Sequence, residues 1–352
     1  MGIKNILVVR FRQMGDAIIA TALLNTLRST FPNATIDFVL NDKIASLFEG
    51  HPSINNLITF TNEERYSPMR YVRKVWRVVH NKRYDVIIDL RSTVNTMIFA
   101  LLSPRTKYRI GKAKGYTHLV FNHTIGKCPN DMSMVDYDIS YASALAVERS
   151  IKVIKTFTLH ITPQERENYA AYMQQQGVNL NNPVMLANVT AKLTNKIWNE
   201  EYMIQVIDQF ISAYPDWQII FNYAPGQEET NARRIYQQLG SPAQILIDVK
   251  ARSARELVAL GYNLTCFFGN EGGARHIMQA VGCPSFVICA PGNSKDVWIA
   301  KNEVLAEGIA PSDFASAQEL AQMTREQQYA LIKPTFVWAH LQQFIARLPR
   351  VE

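Results

Sequence analysis

Short apolar runs alternate with amphipathic stretches along this chain. In its first half the runs are NILVVRF at 5–11, TIDFVL at 35–40, NLITF at 56–60 and YDVIIDL at 84–90. Helical repeats lie between them, at 17–29 and 66–81 for instance. The second half repeats the theme with PVMLANV at 183–189, WQIIFNY at 217–223, AQILIDV at 243–249, LTCFFGN at 264–270 and SFVICAP at 285–291. Helical patterns there cover 200–214, 228–239, 254–262 and 274–281. Short runs that are apolar nearly throughout, joined by amphipathic helices, belong to parallel sheets covered on both faces. Two such series predict an α/β chain of two Rossmann-like, doubly wound domains. The joint falls near 155–163, where FTLHI at 157–161 leads into Thr162-Pro163 and an acidic first helical turn. The expected domains are therefore 1–158 and 159–352, with helices after Ala310 closing back towards the first.

Composition fits two domains: 352 residues, 47% hydrophobic and 19% charged. No apolar run is long enough to span a bilayer, and the chain enters a strand pattern at once, so a cytoplasmic location without a signal peptide is expected. Ile6 occupies the place where an acylation motif needs Ser or Thr. Cys128, Cys266, Cys283 and Cys289 lack CxxC spacing and read as free thiols in a reducing compartment. Charge changes the picture more. Residues 1–160 hold 22 Lys+Arg against 12 Asp+Glu, and the remainder holds 15 against 18, so a basic half precedes a slightly acidic one. An anionic partner is expected for the first half. No nucleic-acid-binding module accompanies the charge, so nucleic acid is not expected.

Ligands of open parallel sheets bind beyond the carboxyl ends of the strands. The turn after the first strand reads Arg10-Phe11-Arg12-Gln13-Met14-Gly15-Asp16. Its single glycine is not a dinucleotide fingerprint. Asp16 stands where it could cap a helix or take a proton from a hydroxyl. After PVMLANV comes Thr190-Ala191-Lys192-Leu193-Thr194-Asn195-Lys196-Ile197-Trp198, with two lysines suited to phosphate oxygens and a tryptophan suited to packing. The stretch Asn270-Glu271-Gly272-Gly273 then runs from a strand into a helix carrying Arg275 and His276. Such a corner brings backbone N–H groups to an anion.

Taken together, these three stretches resemble glycosyltransferase family 9, the ADP-heptose:lipopolysaccharide heptosyltransferases. Arg10 to Asp16 is similar to the family's first turn, R-x-S-x-x-G-D. Asn188 to Trp198 is similar to its K-x-W stretch, and Glu271 to Pro284 to its D-[ST]-G-x-x-H segment before a helix ending G-x-P. They come in family order across nearly the whole chain. The resemblance implies a GT-B fold, with parallel sheets facing a central cleft, acceptor on the first domain and nucleotide-sugar on the second. It implies Asp16 as general base of an inverting displacement and Lys196 as support for the leaving diphosphate. Asn188, Lys192, Asn270, Glu271, Gly272, Gly273, Arg275 and His276 become donor-binding positions, and Arg12, Gly15 and Arg91 acceptor-binding ones. Neither metal nor other cofactor is implied. Glu271 in place of Asp, and Gly272 in place of Ser or Thr, depart from the family pattern and bear on donor identity.

The expected partners are an ADP-sugar donor and an anionic lipopolysaccharide-core acceptor of lipid A/Kdo type. Peripheral contact with the inner-membrane surface is a further expectation. In SPMRYVRKVWRVVHNKRYD at 67–85, Met69, Val72, Val75, Trp76 and Val79 share one stripe and Arg70, Arg73, Lys74 and Arg77 lie off it. That face suits either solvent or an anionic lipid headgroup. The basic run 105–114 would add an anion-binding rim. Two rivals are another sugar-nucleotide enzyme, such as an epimerase, and a binding protein of the same fold without turnover.

Overall fold

The computed structural model describes residues 2–11 and 13–349, so Arg12 lies outside the described residues. The chain divides between His160 and Ile161 into two compact units. Each is a parallel sheet flanked by helices.

The sheet of the first unit contains β1 (Asn5–Val9), β2 (Thr35–Asn41), β3 (Asn56–Phe60), β4 (Val86–Asp89), β5 (Tyr108–Lys112) and β6 (His123–Ile125), in the order β3-β2-β1-β4-β5-β6. The second sheet holds β7 (Val184–Asn188), β8 (Gln218–Phe221), β9 (Cys266–Asn270), β10 (Ser285–Ile288) and β11 (Ala306–Ile309), in the order β11-β10-β9-β7-β8. All neighbours pair in parallel. Every residue of β4, β7, β9 and β10 is buried, as apolar strands covered on both faces require.

Several expected elements take a different form. AQILIDV makes only a single bridge, Ile245 to Ile219, at the edge beyond β8. Ile245 N–H bonds back to Pro242 O and Val249 N–H to Leu246 O, so turns use the amides that a strand would offer its neighbour. Counting that bridge, the second sheet repeats the strand order of the first. The FTLHI segment is not a strand either. The extended chain there binds side chains of the helix Thr21–Thr30: Thr158 N–H donates to Thr21 Oγ1 (3.0 Å), and Asn25 Nδ2 donates to Thr156 O (2.9 Å). The helical pattern at 17–29 breaks at Ala20 into Met14–Ile19 and Thr21–Thr30. At the break the Thr21 hydroxyl donates to Ile18 O (2.7 Å), a local bond that bends helices. Pro68 divides the pattern at 66–81, beginning a new helix, Pro68–Asn81, at its first turn.

The helices after Ala310 belong to the second unit. Tyr329, Ile332, Val337, Leu341 and Phe344 join its core beside Met203, Ile207 and Phe210 of the helix Glu200–Ala213. Trp198, 1% exposed, packs there as the sequence suggests, and its indole N–H donates to Ile332 O (3.1 Å).

Candidate functional site

In a doubly wound sheet the crevice for a ligand opens where strand order reverses. That point lies between β1 and β4 in the first sheet and between β7 and β9 in the second. The residues ending those four strands are largely polar, and they carry the candidate chemistry.

Asn188 ends β7 and Asn270 ends β9. Asn188 Nδ2 donates to Asn270 O (2.9 Å), and Asn270 Nδ2 returns a bond to Asn188 O (3.0 Å). Asn222 Nδ2 donates to Asn188 Oδ1 (2.8 Å), and Trp198 N–H donates to Asn270 Oδ1 (2.8 Å). The two amides thereby lock the switch point and fix the loop carrying Lys192 and Lys196. The two backbones crowd at Gly269, where φ is +126° and a Cβ would stand 2.5 Å from Asn188 O. Glycine is required there, because side-chain-bearing residues avoid that conformation and the space is absent.

Glu271 follows directly. Its Oε1 accepts from Lys196 Nζ (2.8 Å) and Asn293 Nδ2 (2.8 Å), and its Oε2 accepts from Ala290 N–H (3.2 Å) and Asn293 Nδ2 (2.9 Å). Those four contacts occupy the acceptor capacity of a carboxylate. A shorter Asp would not reach both Lys196 and the loop 290–293, so the longer side chain gives one anion two tasks. Lys192 is exposed beside this cluster in sequence.

Gly272 caps the helix Gly273–Ala280. Its φ of −175° is extended backbone open to any residue, and a Cβ would be 3.7 Å from Asn188 Nδ2, an ordinary contact. Local geometry therefore does not demand glycine at 272. Its effect is to leave the helix start without a side-chain cap, so that the first N–H groups remain for another acceptor. Behind them, Arg275 is 1% exposed and commits its guanidinium to Gln279 Oε1 (2.9 Å) and Trp298 O (2.7 Å). The structure thus places Arg275 as a packed brace of the helix. Its Nη2 stands 2.9 Å from His276 Nδ1 and 3.3 Å from Nε2. Distances that similar put it over the ring, not along either nitrogen's in-plane direction. Burial, with Arg275 and Lys196 nearby, holds His276 well below the ordinary histidine range, so the imidazole is neutral.

In the first unit, Arg10 is 2% exposed at the end of β1. Its guanidinium donates to Leu90 O (3.0 Å) and meets Asp16 Oδ1 (3.2 Å) and Asp138 Oδ2 (3.3 Å). Asp16 sits in the first turn of Met14–Ile19, next to Gly15, with its side chain 12% exposed. Asp89 ends β4, and its Oδ1 accepts from Arg91 N–H (2.9 Å) and Ser92 N–H (2.8 Å). Burial pushes this carboxyl up to about 6, against the pull of those bonds and of Lys114. Ser92 is buried with φ +50°, a strained corner for a non-glycine residue. The Arg91 side chain is exposed and donates to Phe11 O, which brings it to the turn that carries Asp16.

The expected rim at 105–114 is largely β5. Arg109 donates to Pro104 O, Thr106 O and Val120 O, and Lys107 pairs with Glu148. Sequence reasoning assigned no role to Asp89, Asp138, Asn222 and Asn293, and showed Arg10 and Thr190 only as members of their motifs. A charge closing an apolar strand marks Arg10 and Asp89, whereas Asp138 arrives from a distant helix with no local signal. Thr190 is 1% exposed, and its hydroxyl has no hydrogen-bond partner among the described residues.

A family model described as glycosyltransferase family 9 (heptosyltransferase) matches residues 72–304. Lipopolysaccharide heptosyltransferase 1 of Campylobacter coli is 18% identical over 287 residues, covering 80% of this chain and 83% of that protein. The structure of a family 9 glycosyl transferase from Veillonella parvula aligns with a TM-score of 0.82 at 16% identity, over 98% of each chain. Escherichia coli heptosyltransferase WaaC, solved with ADP, aligns with a TM-score of 0.69 at 13% identity, over 98% of this chain and 99% of that one. These structural likenesses carry the fold, the paired Rossmann-like units of GT-B glycosyltransferases.

Proposed function

This chain belongs to glycosyltransferase family 9 as a heptosyltransferase-like glycosyltransferase, and from that premise we propose its reaction. A heptose-like sugar passes from an ADP-linked donor to a hydroxyl of an anionic lipopolysaccharide core of lipid A/Kdo type, with inversion at the anomeric carbon. Asp16 takes the proton of the acceptor hydroxyl as its oxygen attacks that carbon. The bond from the carbon to the diphosphate oxygen breaks, and ADP leaves with the electron pair. Lys196, the uncapped N–H groups at Gly272 and Gly273 and the neutral His276 receive the charge developing on the diphosphate. Protein groups alone perform this role in the reading, without a metal ion.

The observation that carries the donor side is the switch point itself. The Asn188–Asn270 lock, the unpartnered Thr190 hydroxyl and the capless helix all gather at the carboxyl ends of β7 and β9. On the acceptor side the support is Asp16 held by buried Arg10, with Gly15 and Arg91 at the same turn. Purified protein, ADP-heptose and Kdo-lipid A test the reading. Acceptor-dependent ADP release and a product of inverted anomeric configuration are expected. Tight binding of UDP or GDP in preference to ADP sinks the donor assignment. A second reading, binding without turnover, draws support from the fully engaged Glu271 carboxylate. ADP-heptose bound but never consumed is its signature.

The same proposal places the enzyme at the cytoplasmic membrane surface through the helix Pro68–Asn81. Its expected apolar stripe is divided: Val75 and Val79 are buried, with Tyr71 beside them, while Met69 (83% exposed), Val72 and Trp76 (51%) face outward. Arg73 and Arg77 are exposed on the adjoining arc. An apolar row beside a basic row suits the boundary between headgroups and acyl chains of an anionic bilayer. Among the described residues no helix is long and apolar enough to cross a membrane.

A further inference from the structure

The helix Met134–Ser140 packs against Met14–Ile19 and Thr21–Thr30 in the first unit, and it buries Val135, Tyr137, Asp138 and Ile139. Asp138 is a full charge in an otherwise apolar and aromatic row, closed completely to solvent. Taking a carboxylate out of water is costly unless a cation meets it. The cation here is Arg10. Asp138 Oδ2 stands 3.3 Å from Arg10 Nη2, the same nitrogen that Asp16 Oδ1 approaches at 3.2 Å. One buried guanidinium nitrogen is thus divided between two carboxylates from different helices. At the other end of the fork, Nη1 is held by Leu90 O (3.0 Å). Fixed on both sides, Arg10 cannot turn its charge wholly towards Asp16.

The other charged and titratable groups around the pair are already engaged. Asp89, at the end of β4, spends its Oδ1 on the N–H groups of Arg91 and Ser92. The Arg91 guanidinium goes to Phe11 O, and Lys114 Nζ to Ser92 O. Burial pushes the phenols of Tyr137 and Tyr141 up, so both are neutral. Tyr137 donates to Gly126 O (2.8 Å) and Tyr141 to the Tyr137 oxygen (3.4 Å). Arg12, in the same turn as Asp16, lies outside the described residues. A carboxylate facing an undivided guanidinium is a poor base, because the cation favours its ionised form. A second anion on the same nitrogen offsets that effect.

We propose that Asp138 is a positioning residue for Asp16: it anchors Arg10 against the first turn of Met14–Ile19 and takes up part of its charge, so that Asp16 keeps the proton affinity of a general base. Asp138 acts wholly through Arg10, since it is closed to solvent and to any acceptor. The catalytic part of this role rests on the reading of Asp16 as the base. The sharing of Arg10 between two carboxylates does not rest on it.

The sharing is measured in the full chain with Asp16→Cys, which puts at this position a thiol that ionises at neutral to alkaline pH. The carbon-13 shift of its labelled Cβ follows ionisation without a reagent having to enter, and the new signal is identified against the four natural cysteines. Adding Asp138→Asn leaves Arg10 to the thiol alone and should lower its titration midpoint by about one pH unit or more. An unchanged or raised midpoint overturns the proposal. Asp138→Thr makes the same change of charge and stands in if the asparagine variant does not fold. Failure of both to fold makes Asp138 a structural anion and overturns it too. With Asp16 present, Asp138→Asn should lower kcat about tenfold at unchanged KM for ADP-heptose, with the acid limb of the pH profile moved to lower pH. A raised KM at unchanged kcat, or an unmoved acid limb, removes the positioning role. Normal turnover by Asp16→Asn instead removes the base reading, and the thiol midpoint still decides whether Asp138 shares Arg10.

Discussion

Lys196 rests 2.8 Å from Glu271 Oε1, on a carboxylate that also ties down Ala290 N–H and the Asn293 amide. The same anion thus positions the cation beside the capless helix and shapes the loop after β10. The two partners should fail differently when removed. Lys196→Ala should lower kcat/KM for the donor by about 10²–10³-fold, the scale of losing one charge stabiliser. Its stability should change by less than about 1 kcal/mol, because the Lys196 side chain is 31% exposed. Glu271→Ala leaves the buried Ala290 N–H unpaired and should cost about 1–3 kcal/mol in urea unfolding. Equal stability losses for the two variants would contradict this division of labour.

Asp16→Asn keeps the shape of the side chain and removes its capacity to accept a proton. Transfer should fall about 10²–10⁴-fold. The thermal shift produced by ADP should be retained, since the donor groups all lie in the second unit. Near-normal turnover would remove Asp16 from the role of base.

The glycines of the β9 corner separate cleanly. Gly269→Ala places a Cβ 2.5 Å from a backbone oxygen at φ +126°, and should destabilise the second unit by several kcal/mol, on the order of other severe core defects. Gly272→Ala should fold normally, and Gly272→Ser should gain a few tenths of a kcal/mol from the new cap. Donor affinity in Gly272→Ser should fall if its hydroxyl occupies the first helical N–H groups. Denaturation midpoints and ADP titrations read the two effects apart.

His51 supplies a pH signature in the first unit. Burial, aided by His160 nearby, pushes its pKa down from 6.5 to about 4. Its Nδ1 accepts from Ser53 N–H (3.2 Å), a bond that protonation must break. The unfolded chain binds this proton more readily, so the stability is fully present above pH 6.5 and is lost as pH falls towards 4. The full effect is about 3 kcal/mol. Asp89 slopes the other way, because its raised pKa of about 6 favours the fold at low pH and loses that contribution as pH rises. The difference between wild type and His51→Gln isolates the histidine. That difference should shrink steadily from pH 7 to pH 4, and a flat one would show that His51 is not the titrating group.

Trp76→Ala with Met69→Ser should leave stability nearly unchanged, because both side chains face outward. Sedimentation with vesicles containing phosphatidylglycerol should fall several-fold. Arg73→Glu with Arg77→Glu should abolish the salt-sensitive part of that binding. Vesicle binding indifferent to all four changes would dismiss this face.

Much of the fold was legible because buried parallel strands need apolar runs, and eight of the eleven strands were visible as such. AQILIDV misled because periodicity does not register how turns at Pro242 and Leu246 use backbone amides. β5, β6 and β11 escaped: Tyr108–Lys112 lies in a basic run, and His123–Ile125 and Ala306–Ile309 are short and incompletely buried. In the site, Asp16, Lys196 and the Gly272-Gly273 corner could be found because each follows a strand. Arg275 could not be sorted from them. Its neighbours in sequence suggest a ligand, while the groups that engage it, Gln279 and Trp298, are set by how the helix packs. The stripe on Pro68–Asn81 failed for a related reason: an apolar face is visible in sequence, but which part of it the sheet covers is not.

The bond from the Trp198 indole to Ile332 O fastens the loop after β7 to a stretch 134 residues later. During synthesis, then, a ribosome-bound chain has all of its strands before it has this fastening. A premature stop codon between Ile309 and Tyr329 would keep every strand but remove Tyr329, Ile332, Val337, Leu341 and Phe344 from the core of the second unit. The packing around Trp198 is consequently completed only by one of the last parts of the chain to be made.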